Sequence, residues 1–209
     1  MSDIIDQLNA VTRGLDRTTI PAGAARSIVL SRSYEAAIED VWDALTTGDR
    51  IGRWLLPVEG DLRLGGTYQL KDNARGEVLA CEPPWMLRIT WVYGENATAK
   101  DVSEVEVRLD PDGDRTRLTL AHAAVVEDET WNRYGPGAAG VGWDLGLVAL
   151  DRHLHGQSFE SATWESSPDG KRAATHSSAA WGAAAVAAGT PADQVTQWVD
   201  ATTEFYTAD

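Results

Sequence analysis

Residues 103–122, SEVEVRLDPDGDRTRLTLAH, decide the fold of this chain. Apolar and polar residues alternate on both sides of Pro111-Asp112-Gly113-Asp114, which is typical of β-strands with one buried face. Proline fixes φ and glycine permits positive φ, so this tetrapeptide predicts a turn between strands at 102–109 and 115–122. One face of the second strand carries Leu118, Leu120 and His122.

Four more strands are predicted before this hairpin, at 58–63, 66–71, 75–81 and 86–93. Turns are indicated by the glycine pair at 65–66 and by the proline pair that interrupts GEVLACEPPWMLRITW at 76–91. One face of the last of these strands carries Leu87, Ile89 and Trp91. Strands that follow one another through short turns predict an antiparallel meander.

A long helix is predicted over 138–155, where an apolar stripe recurs at helical spacing, formed by Trp143, Leu147, Leu150 and Leu154. A further strand at 26–34, a helix around 38–45 and a short helix around 51–55 precede the meander. The class is therefore α+β, with the long helix covering one face of a curved sheet. Such a sheet leaves a gap at one end of the helix, which is a candidate pocket.

Both ends of the chain indicate additional helices. Apolar residues at 3–16 have nearly helical spacing, and a helix at 168–188 is followed by one beginning at Thr190-Pro191. We therefore expect an N-terminal helical extension at 1–23, a central domain at 24–156 and a C-terminal helical extension at 157–209. Five aromatic residues of the last segment are expected to pack on the central domain or to form a homodimer interface, namely Trp164, Trp181, Trp198, Phe205 and Tyr206.

Composition excludes several classes of protein. The 209 residues carry a formal net charge of −14, which disfavours nucleic acids and acidic membrane surfaces as partners. No apolar run is long enough for a membrane span, and the acidic N-terminus does not resemble a secretory signal. The single cysteine, Cys81, excludes an internal disulfide and indicates a reducing compartment, so we expect a cytoplasmic protein.

The chemically interesting residues do not form a recognisable catalytic motif. Gly135, Gly137 and Gly140 match G-x-G-x-x-G without the strand that a dinucleotide site needs, so we interpret them as a flexible entry to the long helix. His153 and His155 point in different directions on a helix, and we expect neither a metal site nor a cofactor. His122 is either a satisfied core histidine or a polar group in the pocket. Catalytic residues stay unknown.

Four segments, in the order in which they occur, resemble the START-like (SRPBCC) superfamily, and specifically its branch named for the C-terminal domain of the activator of a heat-shock chaperone ATPase. They are the region around Arg53-Trp54 with DLRLGGTYQL, GEVLACEPPWMLRITW, SEVEVRLDPDGDRTRLTLAH and GVGWDLGLVALDRHL. The resemblance covers roughly residues 24–156, and the extra terminal helices are similar to those of longer bacterial members. It implies a helix-grip fold with an apolar pocket between the sheet and the long helix. Relatives in the superfamily bind lipids, hormones or polyketide intermediates, and some are cyclases or dehydratases.

These observations favour binding of a small hydrophobic or aromatic molecule in an internal cavity. A cyclase- or hydrolase-type enzyme, with His122 or Glu77 as the acid–base group, and a chaperone-interacting protein are the alternatives. The cavity is expected to be lined by Trp54, Tyr68, Leu70, Glu77, Trp91, His122, Trp143 and Leu147.

Overall fold

The computed structural model describes residues 3–94, 97–98, 101–157, 164 and 166–208. Its strands are β1 Thr12–Ile20, β2 Gly23–Tyr34, β3 Val58–Gly60, β4 Thr67–Leu70, β5 Arg75–Glu82, β6 Met86–Trp91, β7 Ser103–Asp112 and β8 Arg115–Ala124. Its helices in the described part are α1 Ile4–Asn9, α2 Ile38–Thr46, α3 Gly48–Trp54, α4 Asp128–Tyr134, α5 Gly137–Leu154, α6 Pro168–Ala187 and α7 Ala192–Thr207.

The eight strands form one antiparallel sheet in the order β1-β2-β8-β7-β6-β5-β4-β3. The register aligns Leu30 with Leu120, Leu120 with Val107, and Val107 with Leu87. Because side chains alternate across a strand, this row of apolar residues lies on one face. Ile89 and Trp91 follow Leu87 along β6 at intervals of two residues. The same face therefore carries them as well.

The long helix α5 packs against this face of the sheet. Leu147, Val148 and Leu150 of α5 are buried in the same hydrophobic core as Leu30 of β2 and Leu120 of β8. The α+β helix-grip architecture expected from the sequence is confirmed, with the meander strands within a few residues of their predicted positions.

The N-terminal segment is less helical than the sequence spacing predicted. The helix α1 ends at Asn9, and the following residues form strand β1, which pairs with β2 from Thr12 opposite Ser31 to Ile20 opposite Gly23. Pairing with β2 satisfies backbone groups along these nine residues. The sheet thereby gains an eighth strand. The prediction of a helical extension at 1–23 is therefore wrong for the residues after Asn9, most of which form a strand. The acidic run at 127–129 begins a helix, α4, that was not expected.

The C-terminal helices lie against the outer side of α5. Helix α6 packs on α5, and α7 packs on α6 and α4. Trp181 is 1% exposed and Trp198 6%, while Phe205 remains 62% exposed. Helix α7 is also joined to α4 by a hydrogen bond from Trp198 Nε1 to Asn132 O (3.0 Å) and to α5 by one from Tyr206 Oη to Ala138 O (2.8 Å).

The glycines at the start of α5 have a packing role, which corrects their interpretation as a flexible entry. A Cβ atom on Gly137 would lie 2.7 Å from Thr202 Oγ1, and one on Gly135 or Gly140 would overlap the indole of Trp198 or Trp181. Their missing side chains therefore make room for the C-terminal helices.

A buried carboxylate fixes this junction. Asp144 of α5 is fully buried and accepts hydrogen bonds from Arg13 Nε of β1 (2.9 Å), from Trp181 Nε1 of α6 (3.1 Å) and from the Ser177 hydroxyl. Burial raises the pKa of Asp144 in spite of the Arg13 guanidinium beside it. The ion pair thus ties the outer strand, the central helix and the C-terminal segment together.

No helix in the described ranges combines the length and the hydrophobicity that a membrane crossing requires.

Candidate functional site

A cavity of about 100 Å³ lies between α5, the helices α2 and α3, and the concave face of the sheet; we call it the central cavity. Helix α5 contributes Trp143, Gly146 and Leu147 to its wall, and α3 contributes Ile51 and Trp54. The remaining wall residues come from neighbouring helices, loops and strands, namely Leu45, Thr46, Leu55, Val58, Leu62, Tyr68, Leu70, Val78, Leu87, Ile89, Trp91, Val105, Val107, Leu118 and Leu120.

The wall of the central cavity is almost entirely apolar. The polar side-chain atoms of Thr46 and Tyr68 are engaged with backbone carbonyls: Thr46 donates to Trp42 O (2.8 Å) and Tyr68 to Thr90 O (2.7 Å). Burial raises the pKa of the Tyr68 phenol, which stays neutral over the physiological range. The described part of the wall thus offers no charged side chain to a ligand, so an ion entering it would lose its hydration without a counter-charge there.

Three tryptophans give the cavity an aromatic surface. The rings of Trp91 and Trp143 contact each other, with centroids 5.0 Å apart and planes inclined at 55°. Trp54 is held from the other side by its own hydrogen bond, in which Nε1 donates to Ala44 O (2.9 Å). Aromatic rings tilted at such distances attract each other. An aromatic ligand could make the same kind of contact with this surface.

His122 stands behind this aromatic surface in a chain of hydrogen bonds. Trp143 Nε1 lies 2.9 Å from His122 Nδ1, and His122 Nε2 lies 2.8 Å from Ser103 Oγ, which donates to Trp91 O (2.6 Å). An indole N–H can only donate, so Nδ1 must accept and the proton of the neutral ring resides on Nε2. Desolvation lowers the pKa of His122 to about 4, so this neutral tautomer prevails at neutral pH.

The chemical consequence concerns the pair formed by Ser103 and His122. A general base would have to accept the serine proton at Nε2, but here Nε2 donates and the serine hydroxyl is directed to a carbonyl. The arrangement fixes the Trp143 indole in position and does not activate Ser103 as a nucleophile.

Six of the eight residues predicted to line the cavity lie in its wall: Trp54, Tyr68, Leu70, Trp91, Trp143 and Leu147. Glu77 does not. It is exposed on β5, because Val78 beside it takes the inward position, and a register shift follows between Val78 and Ala80. His122 is on the concave face as its alternation indicated, but it is not among the described wall residues, and its Nδ1 atom accepts the hydrogen bond of Trp143.

Apart from Trp54, sequence reasoning missed the part of the wall that comes from α2, α3 and β3, including Leu45, Ile51 and Val58. It also missed Gly146, at which an added Cβ would meet no atom within 4 Å. A glycine three residues after Trp143, on the apolar stripe of the helix, is the signal that could have indicated this open space.

The described residues contain no group of three or more His, Cys, Asp or Glu side chains that could hold a metal ion. The glycine motif at 135–140 is filled by Trp198 and Trp181, so it has no room for a nucleotide.

A curved antiparallel sheet that grips a long helix, with an apolar cavity between them, defines the helix-grip class of START-like proteins. The profile of the family described as "Activator of Hsp90 ATPase homolog 1-like protein" matches residues 35–155. The chain belongs to this family, as the sequence resemblance indicated.

Solved structures agree with this assignment. The chain is 40% identical to CalU16 from Micromonospora echinospora in its crystal structure, with 84% of this chain and 98% of that chain covered and a TM-score of 0.69. The solution structure of CalU16 gives 38% identity, coverage of 87% and 97%, and a TM-score of 0.72. MLL2253 from Mesorhizobium loti is 26% identical, with coverage of 64% and 100% and a TM-score of 0.56.

An HSP90 activator from Plasmodium falciparum shares the fold alone, at 22% identity, coverage of 62% and 96%, and a TM-score of 0.53. No curated protein sequence matches the chain.

Proposed function

We propose that the protein binds a small, uncharged hydrophobic or aromatic molecule in the central cavity. The observation that carries this proposal is the wall itself, which combines the three tryptophans with aliphatic side chains and has its hydroxyl groups engaged elsewhere. Binding sites for small molecules are typically concave, mostly apolar and already formed. A ligand that buries roughly 200 Å² of apolar surface gains roughly 5 kcal/mol, so we expect dissociation constants in the submillimolar to millimolar range.

An enzymatic role of the cyclase or hydrolase kind has less support. Glu77 is exposed, and both ring nitrogens of His122 are engaged with Trp143 and Ser103. In the described part of the wall, Tyr68 is the single titratable group, and general acid–base catalysis in the cavity would need a group whose pKa lies near neutrality.

The proposed location is the cytoplasm, supported by the single cysteine and by the acidic composition.

The chaperone-interaction alternative is supported by the family description. A pull-down with the ninety-kilodalton chaperone tests it.

Gly146 provides the test of ligand binding. Because an added side chain at this position projects into open space, Gly146→Leu fills the cavity without displacing a neighbouring atom at Cβ. Leucine is also a better helix former than glycine, so the variant is expected to fold. Gly142→Ala is the matched control, since Gly142 is exposed one turn earlier on α5 and its Cβ would meet only Tyr206 Oη, at 3.5 Å.

Naphthalene is a suitable probe, and isothermal titration calorimetry measures its binding. The natural chain and Gly142→Ala are expected to bind naphthalene with the same affinity, whereas Gly146→Leu is expected to lose at least tenfold. Absence of naphthalene binding to the natural chain, or unchanged binding to Gly146→Leu, would contradict the proposal.

A further inference from the structure

The hydrogen-bonding state of the three cavity tryptophans differs in one respect. Trp54 donates its indole N–H to Ala44 O, and Trp143 donates to His122 Nδ1. Trp91 Nε1 has no hydrogen-bond acceptor among the residues that the structure describes. In that part of the chain, the side-chain polar atoms that are buried without a hydrogen-bond partner are Gln7 Oε1, Arg32 Nε and Asp144 Oδ1. Trp91 Nε1 is not one of them. The Trp91 N–H is therefore not sealed within the described part of the core, and Trp91 lies in the wall of the central cavity.

Trp91 is held in place although its N–H is unused. Its backbone carbonyl accepts a hydrogen bond from Ser103 Oγ (2.6 Å), its strand pairs with β7, and its ring contacts Trp143. A donor carried by a positioned side chain loses little conformational freedom when an acceptor arrives. Such a donor in an apolar wall fixes the orientation of a ligand and gives specificity.

We propose that Trp91 Nε1 is the specificity-determining donor of the central cavity, and that the ligand is an otherwise apolar ring compound carrying an uncharged acceptor oxygen, such as a ketone. This inference rests on the proposed function and narrows its ligand class. A ketone needs one donor and no counter-charge, which matches the described wall residues, none of which is charged. Further ligand acceptors are poorly served, because the hydroxyl protons of Tyr68 and Thr46 and the N–H groups of Trp54 and Trp143 are already donated to protein atoms.

The charge of the protein also favours a neutral acceptor over a carboxylate. An anionic ligand would approach a chain with a formal net charge of −14, and it would find no cationic side chain among the described wall residues. A carbonyl oxygen avoids both costs, while its own desolvation is offset by the Trp91 N–H.

A matched pair of probes separates this inference from the proposed function. Indane and 1-indanone have the same bicyclic skeleton, and the second adds one carbonyl oxygen. Trp91→Phe removes the N–H and retains an aromatic ring. The variant is expected to bind 1-indanone about fivefold to tenfold more weakly than the natural chain, the worth of one neutral hydrogen bond, with a much smaller change for indane.

Trp85→Phe is the control variant, since Trp85 is 49% exposed and is not among the described residues of the cavity wall. Its ratio of 1-indanone to indane affinity is expected to equal that of the natural chain. A second readout does not depend on the affinity of any variant. The Trp91 indole proton resonance, assigned as the one missing from Trp91→Phe, is expected to move downfield with 1-indanone relative to indane.

The outcomes are distinguishable. Binding of both probes with an affinity ratio unchanged in Trp91→Phe, and no relative shift of the indole proton, would overturn the inference and leave the proposed function standing. Failure of the natural chain to bind either probe would overturn both.

Discussion

Replacing Gly140 by alanine is expected to destabilise the protein although alanine is the better helix former. An added Cβ would lie 2.7 Å from Trp181 Cδ2 and closer still to Cε2 and Nε1, well inside van der Waals contact. Trp181 is 1% exposed and cannot turn outward without giving up its hydrogen bond to Asp144 Oδ2. The indole must therefore move within a closed junction.

The magnitude follows from three contributions. Overpacking of a core typically costs about 1–3 kcal/mol. If the Trp181 N–H leaves the buried Asp144 carboxylate, the lost partner costs about 1–3 kcal/mol more. The gain in helix propensity returns about 1 kcal/mol. The free energy of unfolding should thus fall by about 3 kcal/mol, the middle of this range.

Gly142→Ala separates packing from propensity, because it makes the same exchange two residues later at an exposed position of α5. Urea unfolding followed by tryptophan fluorescence measures both variants, provided that the m-value is unchanged. Gly142→Ala is expected to be as stable as the natural chain or more stable. A double-mutant cycle with Trp181→Phe should show a smaller cost for Gly140→Ala, since the smaller ring leaves room. If Gly140→Ala is as stable as Gly142→Ala, the packing argument is refuted.

Two further predictions concern pH and the C-terminal segment. The folded chain holds the pKa of His122 near 4, below its unfolded value of about 6.5. The unfolded state therefore binds more protons between these values, and this group lowers the free energy of unfolding by about 1–2 kcal/mol as the pH falls from 7 to 5. His122→Gln should lack this share of the pH dependence in urea unfolding, and an identical slope in both proteins would disprove it. Truncation after Gly156 should lower solubility or the melting temperature, because it exposes the α5 surface covered by Trp181; a truncated chain that stays equally soluble, monomeric and stable would show that the segment is detachable.

The sheet and the long helix could be predicted because their sequence patterns agree with the tertiary arrangement. Alternation in β6 and β8 identifies the concave face, on which the register sets Leu120 opposite Val107 and Val107 opposite Leu87. The apolar stripe of α5 then brings Trp143 and Leu147 against it. The strands repeat every two residues and the helix every 3.6 residues, and each pattern is compatible with one type of secondary structure and one buried face.

Predictions failed where local pattern and tertiary pairing disagree. Apolar residues at 3–16 have helical spacing, yet strand pairing with β2 takes over from Thr12. Glu77 could not be assigned to a face because β5 contains a register shift immediately after it. Leu45, Ile51 and Val58 reach the cavity through the path of the chain between β2 and β4, which no periodicity describes.

The outer side of α5 links the C-terminal helices to the central cavity. A helix that is apolar on one stripe only can leave its other side in water, but Val141, Leu145 and Val148 are buried as well as Leu147. Asp144 also lies on that side of the helix. Without Arg13, Ser177 and Trp181 around it, its buried carboxylate would lack a counter-charge and hydrogen-bond donors. Because Asp144 directly follows Trp143, the contacts that fix Asp144 from outside also fix the rotation of the helix that presents Trp143 to the cavity. The C-terminal helices therefore contribute to the shape of the central cavity without contacting it, and their removal is expected to loosen ligand binding together with stability.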